Sequence, residues 1–172
     1  MKIEPTKIKD CHIVLLDRHD DDRGFFVELF REPGPGPLAG PWLQGSCSRS
    51  RKNVVRGLHV TEYAKLVTCV RGRVFDVVID PRQASPSYGK WIGAELSPEN
   101  ARQVYVPAGC GHGFMALEDE TTVVYLQGGQ WDPHKEYAVH WRDPTLQIAW
   151  PAADAYSLSA KDEKAPPLYH RA

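Results

Sequence analysis

Residues 53–80, Asn-Val-Val-Arg-Gly-Leu-His-Val-Thr-Glu-Tyr-Ala-Lys-Leu-Val-Thr-Cys-Val-Arg-Gly-Arg-Val-Phe-Asp-Val-Val-Ile-Asp, decide the fold. Three runs rich in β-branched and aromatic residues, 53–59, 66–70 and 73–79, follow one another. Arg71-Gly72 separates the last two as a turn signal and leaves no room for a helical crossover. Working outward, further runs of the same kind occur at 12–16, 25–30, 91–96, 103–106, 113–117, 122–127 and 137–141. Between them stand turn signals: Asp21-Asp22-Arg23-Gly24, Ser85-Pro86, Pro98-Glu99-Asn100, Ala108-Gly109 and Gln127-Gly128-Gly129. No window sustains the i, i+3, i+4, i+7 apolar pattern of a long helix. The expected fold is all-β: an antiparallel jelly roll, a double-sheet β-sandwich, with a few short helical segments. One such helix is expected after Ser159, where Ser-Ala-Lys-Asp reads as an N-terminal cap with Asp162 at the third position. Residues 32–41 read as a Pro/Gly-rich loop, and a single domain is expected over 1–172.

The charge balance narrows the function. With 21 Lys and Arg against 22 Asp and Glu, the formal net charge is −1, which argues against the broad basic surface that binds nucleic acid. No apolar run approaches the ~20 residues of a membrane span, and the start lacks a signal-peptide core. A cytoplasmic protein that engages neither membrane nor nucleic acid is the expectation. Cys11, Cys47, Cys69 and Cys110 form no CxxC pair, and they read as buried free thiols rather than disulfides or zinc ligands.

Polar groups stand where a sandwich normally carries core side chains. Alternation along 53–59 places Arg56 and Leu58 on one face and Val55, Gly57 and His59 on the other, with Gly57 leaving space beside His59. His59 reads either as a hydrogen-bonded structural histidine or as a base. Lys65 opens the next run. Asp76 lies amid apolar neighbours, facing water or turned inward to a partner. Pro107-x-Gly109-x-x-His112 matches the second half of the metal-cupin signature, but His59-Val60-Thr61-Glu62 lacks the remaining ligands, so no metal is expected and His112 reads as a turn or pocket-wall residue. No nucleophile elbow or phosphate-binding glycine loop is present. A barrel mouth with His, Lys, Tyr and Arg suits proton transfer beside a carbonyl carried by the substrate.

The chain resembles the dTDP-4-dehydrorhamnose 3,5-epimerase family. The resemblance is carried by Asp22-Arg23-Gly24-Phe25-Phe26-x-Glu28, Val55-Arg56-Gly57-Leu58-His59, Lys65-Leu66-Val67 and Asp76-Val77-Val78-Ile79-Asp80-x-Arg82, by Pro107-x-Gly109-x-x-His112-Gly113-Phe114, Tyr125 and Pro133-x-x-Glu136, and by Trp141-x-Asp143-Pro144 and Leu158-Ser159-x-Lys161-Asp162. It implies a cupin-type jelly roll, a homodimer with strands crossing between subunits, and no metal or other cofactor. It also implies a nucleotide-diphospho 4-keto-6-deoxy sugar as substrate, inverted at C3, C5 or both through an enolate. His59 would be the base, Asp162 its hydrogen-bond partner, Tyr125 the acid on the opposite face and Lys65 the cation beside the enolate oxygen. Arg23 and Arg56 would hold the diphosphate. Phe26, Glu28 and Gln44 match positions around the nucleoside, and Ser46, His112, Trp131 and Lys161 complete the expected substrate contacts.

Three departures from the family pattern leave the substrate open. The loop between His59 and Lys65 is several residues shorter than usual. Gln130-Trp131, after the unusual Leu126-Gln127-Gly128-Gly129, replaces a pair of aromatics ending in Tyr, and Gly45-Ser46-Cys47-Ser48 follows Gln44 where an Asn is common. The nucleotide could accordingly be dTDP, GDP or CDP. The alternatives are an epimerase acting at one centre, a 3,4-ketoisomerase, a metal-binding cupin and a non-catalytic sugar binder; the joint presence of His59, Tyr125 and Asp162 speaks against the last.

Overall fold

The computed structural model describes residues 1–171, so Ala172 of the expected 1–172 domain lies outside the described residues. In chain order the strands are β1 (Lys2–Pro5), β2 (His12–Leu15), β3 (Arg18–Asp21), β4 (Gly24–Val27), β5 (Gln44–Ser50), β6 (Val55–Thr61) and β7 (Lys65–Arg71). They continue with β8 (Val74–Ile79), β9 (Trp91–Leu96), β10 (Arg102–Val106), β11 (Gly111–Ala116), β12 (Thr121–Gln127) and β13 (Glu136–Ala138), and helix α1 (Ala160–Glu163) follows. A six-stranded sheet has the order β1-β2-β10-β7-β12-β5, a five-stranded sheet the order β13-β6-β11-β8-β9, and β3-β4 form a separate hairpin. The strands pair antiparallel throughout both sheets, which form the jelly roll expected from the sequence.

Apolar side chains from both inner faces meet in one cluster containing Val67, Cys69, Val74, Val78, Val104, Phe114 and Val123. The outer face of the five-stranded sheet is covered by the C-terminal segment, where Val139, Leu146 and Leu168 pack on Leu58, Val60, Val77 and Ile79. On the other sheet, Leu38 of the Pro/Gly-rich loop and Trp42 just after it cover Val14, Leu66 and Leu126. Trp141 is buried while Trp91 and Trp150 pack against the outer clusters, as large aromatics commonly do.

Several expectations need correction. β1, β3 and β5 carry few β-forming residues and are absent from the predicted strands. The run at 25–30 shortens to β4 and that at 137–141 to β13. Cys11, Cys69 and Cys110 are buried free thiols, but Cys47 is exposed because it faces outward from the edge strand β5.

The larger correction lies in β6. Its register against β11 runs from His112 opposite His59 to Phe114 opposite Arg56, so three steps on β6 match two on β11. This bulge leaves Val55, Leu58 and Val60 in the outer clusters and sends both Arg56 and His59 to the inner side. Strict alternation, which separated Arg56 from His59, fails at Gly57. There φ is +104°, and a Cβ would stand 2.6 Å from the His112 carbonyl oxygen and 2.7 Å from Gly113 Cα. Gly57 therefore permits close backbone approach instead of leaving a void beside His59.

Candidate active site

Between the inner faces of the two sheets lies a cleft of about 470 Å³, within the size range of small-molecule sites. The five-stranded sheet contributes Arg56, His59 and His112, and the six-stranded sheet contributes Lys65, Tyr125, Gln127, Gln44 and Ser46. Trp131, Glu136 and Asp162 complete its walls.

Asp162 reaches the cleft through local chemistry read correctly from the sequence. Ser159 Oγ accepts the Asp162 N–H at 3.1 Å and starts α1. The Val55 N–H donates to the Ser157 carbonyl at 2.9 Å, anchoring this segment beside β6. The Asp162 carboxylate then lies 2.6 Å from His59 Nε2. Burial opposes its ionisation, yet the hydrogen bond and charge of His59 outweigh burial and hold the carboxyl below its usual range. An ionised Asp162 can only accept, so the proton sits on Nε2 and the basic lone pair is on Nδ1.

Glu136, a residue absent from the expected set, stands 3.3 Å from Nδ1. It is also depressed below the usual carboxylate range: burial raises it, but Lys161, donating to it at 2.8 Å, and the charge of His59 lower it further. Attraction between Glu136 and Nδ1 arises only once Nδ1 carries a proton, so the imidazolium is flanked by two carboxylates. The sequence signal was Pro133-x-x-Glu136. What it could not supply was the β13–β6 pairing, with Ala138 opposite His59 and Glu136 opposite Thr61. Lys161 lines the adjoining groove instead of the cleft and acts on the site through Glu136.

Across the cleft, the Tyr125 hydroxyl and Ser48 Oγ lie 2.9 Å apart. Burial pushes the phenol well above its ordinary pKa, keeping it a neutral proton donor. Lys65 is buried and moves the other way: burial lowers it to about 8, although Glu136 and Asp76 favour its charge. His112 is on strand β11 rather than in a turn, with Nε2 2.7 Å from Asp76, which resolves Asp76 as an inward-facing partner. Arg56 donates to Ser50 Oγ at 3.0 Å and to the Arg49 carbonyl at 3.2 Å, and its guanidinium remains exposed at the rim. Among the described residues, no group of three or more His, Cys, Asp or Glu is arranged to hold a metal ion.

Arg23, Phe26 and Glu28 do not join their own cleft. All three belong to the β3–β4 hairpin or its exit, where Arg23 pairs with Asp21, Glu28 pairs with Arg31, and Phe26 is 69% exposed.

The family described as dTDP-4-dehydrorhamnose 3,5-epimerase matches residues 5–170. The chain is 43% identical over 157 residues to the dTDP-4-dehydrorhamnose 3,5-epimerase of Mycobacterium tuberculosis, covering 86% of this chain and 78% of that protein. It is 41% identical to a dTDP-4-dehydrorhamnose 3-epimerase of Streptomyces niveus, covering 96% and 83%. It superposes with a TM-score of 0.93 and 37% identity on the dTDP-6-deoxy-D-glucose-3,5-epimerase of Legionella pneumophila in complex with dTDP-4-keto-L-rhamnose, covering 98% of this chain and 93% of that one.

Proposed function

Because this chain belongs to the dTDP-4-dehydrorhamnose 3,5-epimerase family, we propose that its cleft epimerises a dTDP-linked 4-keto-6-deoxy sugar. The activity is of the isomerase class. One observation carries the reading: His59 extends from one sheet, while Tyr125 and Lys65 extend from the other, on opposite sides of a substrate-sized gap. Inversion requires a base and an acid on opposite faces of the sugar ring.

His59 Nδ1 removes the proton from C3 or C5, and the C–H electron pair moves to the C4 carbonyl to form an enolate. Asp162 and Glu136 stabilise the imidazolium. Lys65 holds the enolate oxygen, where a fixed positive charge favours the transition state over the neutral ketone. Tyr125 returns a proton from the opposite face. Arg56, at the rim, suits a diphosphate oxygen pair, His112 and Ser46 form the polar wall, and Gln44 and Trp131 flank the nucleoside. The reading includes a homodimer, in which Arg23, Phe26 and Glu28 complete the cleft of a second copy; their distance from their own cleft supports it. A cytoplasmic location is also part of the reading, supported by four free thiols, including the exposed Cys47.

The test incubates the protein with dTDP-, GDP- and CDP-linked 4-keto-6-deoxy sugars in D₂O and follows deuterium at C3 and C5. Exchange with the dTDP sugar, abolished in His59→Asn, is expected. Lack of exchange at both centres with every sugar refutes the reading, while exchange at C3 alone marks a single-centre epimerase.

A further inference from the structure

We propose that Gln127 is a further catalytic residue of this chain: its carboxamide N–H shares with Lys65 the oxygen that passes from carbonyl to enolate. The proposal rests on the epimerase reading and deepens it.

The argument begins with register. Gln127 lies two residues beyond Tyr125 on β12, so both face the cleft. It pairs with Lys65 on β7 and with Gln44 on β5. Directly opposed residues have Cβ atoms only ~4.5–5.5 Å apart, so the carboxamide and the ammonium are neighbours on one floor. Gln127 lines the cleft and is buried, with 7% exposure. A buried carboxamide is costly without partners, and here it has two, the hydroxyls of Ser46 and Tyr63.

The Trp131 backbone N–H can only donate, and it gives to Gln44 Oε1 at 2.8 Å. Gln44 Nε2 must therefore be the end that donates to Ser46 Oγ, at 3.0 Å. Gln127 Nε2 donates to the same Oγ at 3.3 Å, while Gln127 Oε1 accepts the Tyr63 hydroxyl at 3.4 Å. A carboxamide nitrogen has two hydrogens. The second one on Gln127 meets no protein acceptor among the described residues and belongs to a side chain beside Lys65.

The neighbouring departures from the family pattern support this orientation as one unit. Tyr63 comes from the shortened loop after His59 and rests on Gly129, where a Cβ would stand 2.7 Å from the Tyr63 ring. The Gly128 N–H donates to the Ala64 carbonyl at 2.9 Å, tying the loop to the end of β12. The short loop, the two glycines, Gln127 and Ser46 are thus mechanically linked. Unlike an ammonium, the carboxamide does not titrate, so it keeps a donor at the enolate oxygen at any working pH.

The test compares wild type with Gln127→Met, which retains the length of the side chain and removes the donor, on the dTDP-linked 4-keto-6-deoxy sugar in D₂O. The expected result is a fall in kcat of about 100-fold, the scale for losing one oxyanion donor, with KM and dTDP binding within about threefold. Should Gln127→Met fail to bind dTDP, Gln127→Glu, which preserves volume but places an acceptor at the oxygen, is measured in its place. It should show the same loss in kcat. A folded variant that binds dTDP and whose kcat stays within threefold of wild type overturns the role of Gln127. Absence of exchange in the wild-type protein overturns instead the epimerase reading, and with it the reaction in which Gln127 acts.

Discussion

Lys65→Met should make the protein more stable and almost inactive. Lys65 is 6% exposed and its ammonium has no ion-pair partner within salt-bridge distance among the described residues. Burial lowers its pKa from 10.5 to about 8. At ~1.4 kcal/mol per tenfold change in proton affinity, carrying that charge in the cleft costs roughly 3 kcal/mol. The folded pKa lies below the unfolded one, so the penalty is complete below pH 8 and fades as pH rises from 8 to 10.5, beyond which both states are neutral. At pH 7 the methionine variant should therefore gain up to roughly 3 kcal/mol in urea unfolding, and the gain should shrink towards pH 10.5. Exchange activity should fall by about 10²–10³-fold, as for loss of one oxyanion contact. Wild-type activity should itself decline above pH 8, close to tenfold by pH 9, as Lys65 loses its charge. A methionine variant less stable than wild type at pH 7, or a stability difference independent of pH, would refute the assignment of a buried, costly ammonium.

Gly57→Ala should destabilise by about 2–4 kcal/mol, since its φ of +104° and its backbone contacts leave no room for a methyl group. A urea midpoint unchanged from wild type contradicts the bulge as the reason Arg56 and His59 share one side. Asp162→Asn should keep the fold but lower kcat by about 10²–10⁴-fold, because an amide facing Nε2 donates and shifts the imidazole proton to Nδ1. Two-dimensional ¹⁵N spectra of the histidine ring report the tautomer, and an unchanged tautomer with full activity sinks the argument.

Much of the architecture is legible because β7, β8, β11 and β12 are largely buried runs bounded by turn signals, and they lie within a few positions of the predicted strands. β5 escaped for a physical reason: of its alternate residues Gln44, Ser46, Ser48 and Ser50, the first three line a polar cleft instead of the core. The strand that most directly builds the site's floor is thus the one whose hydrophobic signal is absent. His59, Lys65, Tyr125 and Asp162 were found through motif resemblance, and their convergence in one cleft required tertiary structure. Glu136 and Gln127 depend on which strand pairs with which, a property that local spacing does not encode. Arg23, Phe26 and Glu28 mark the opposite limit, since their motif is intact yet a single chain keeps them apart from its own cleft.

The sequence separation of 103 between His59 and Asp162 has a consequence for synthesis. Every strand of both sheets has been synthesised once β13 has left the ribosome, but the imidazole still lacks the carboxylate that fixes its tautomer. Only when the later segment docks beside β6, through the Val55–Ser157 bond and the Ser159 cap, does a floor able to receive a ligand become a working catalyst. Proton-transfer competence therefore waits on a segment that follows every strand in the chain, and a product stalled after β13 would lack the carboxylate it needs.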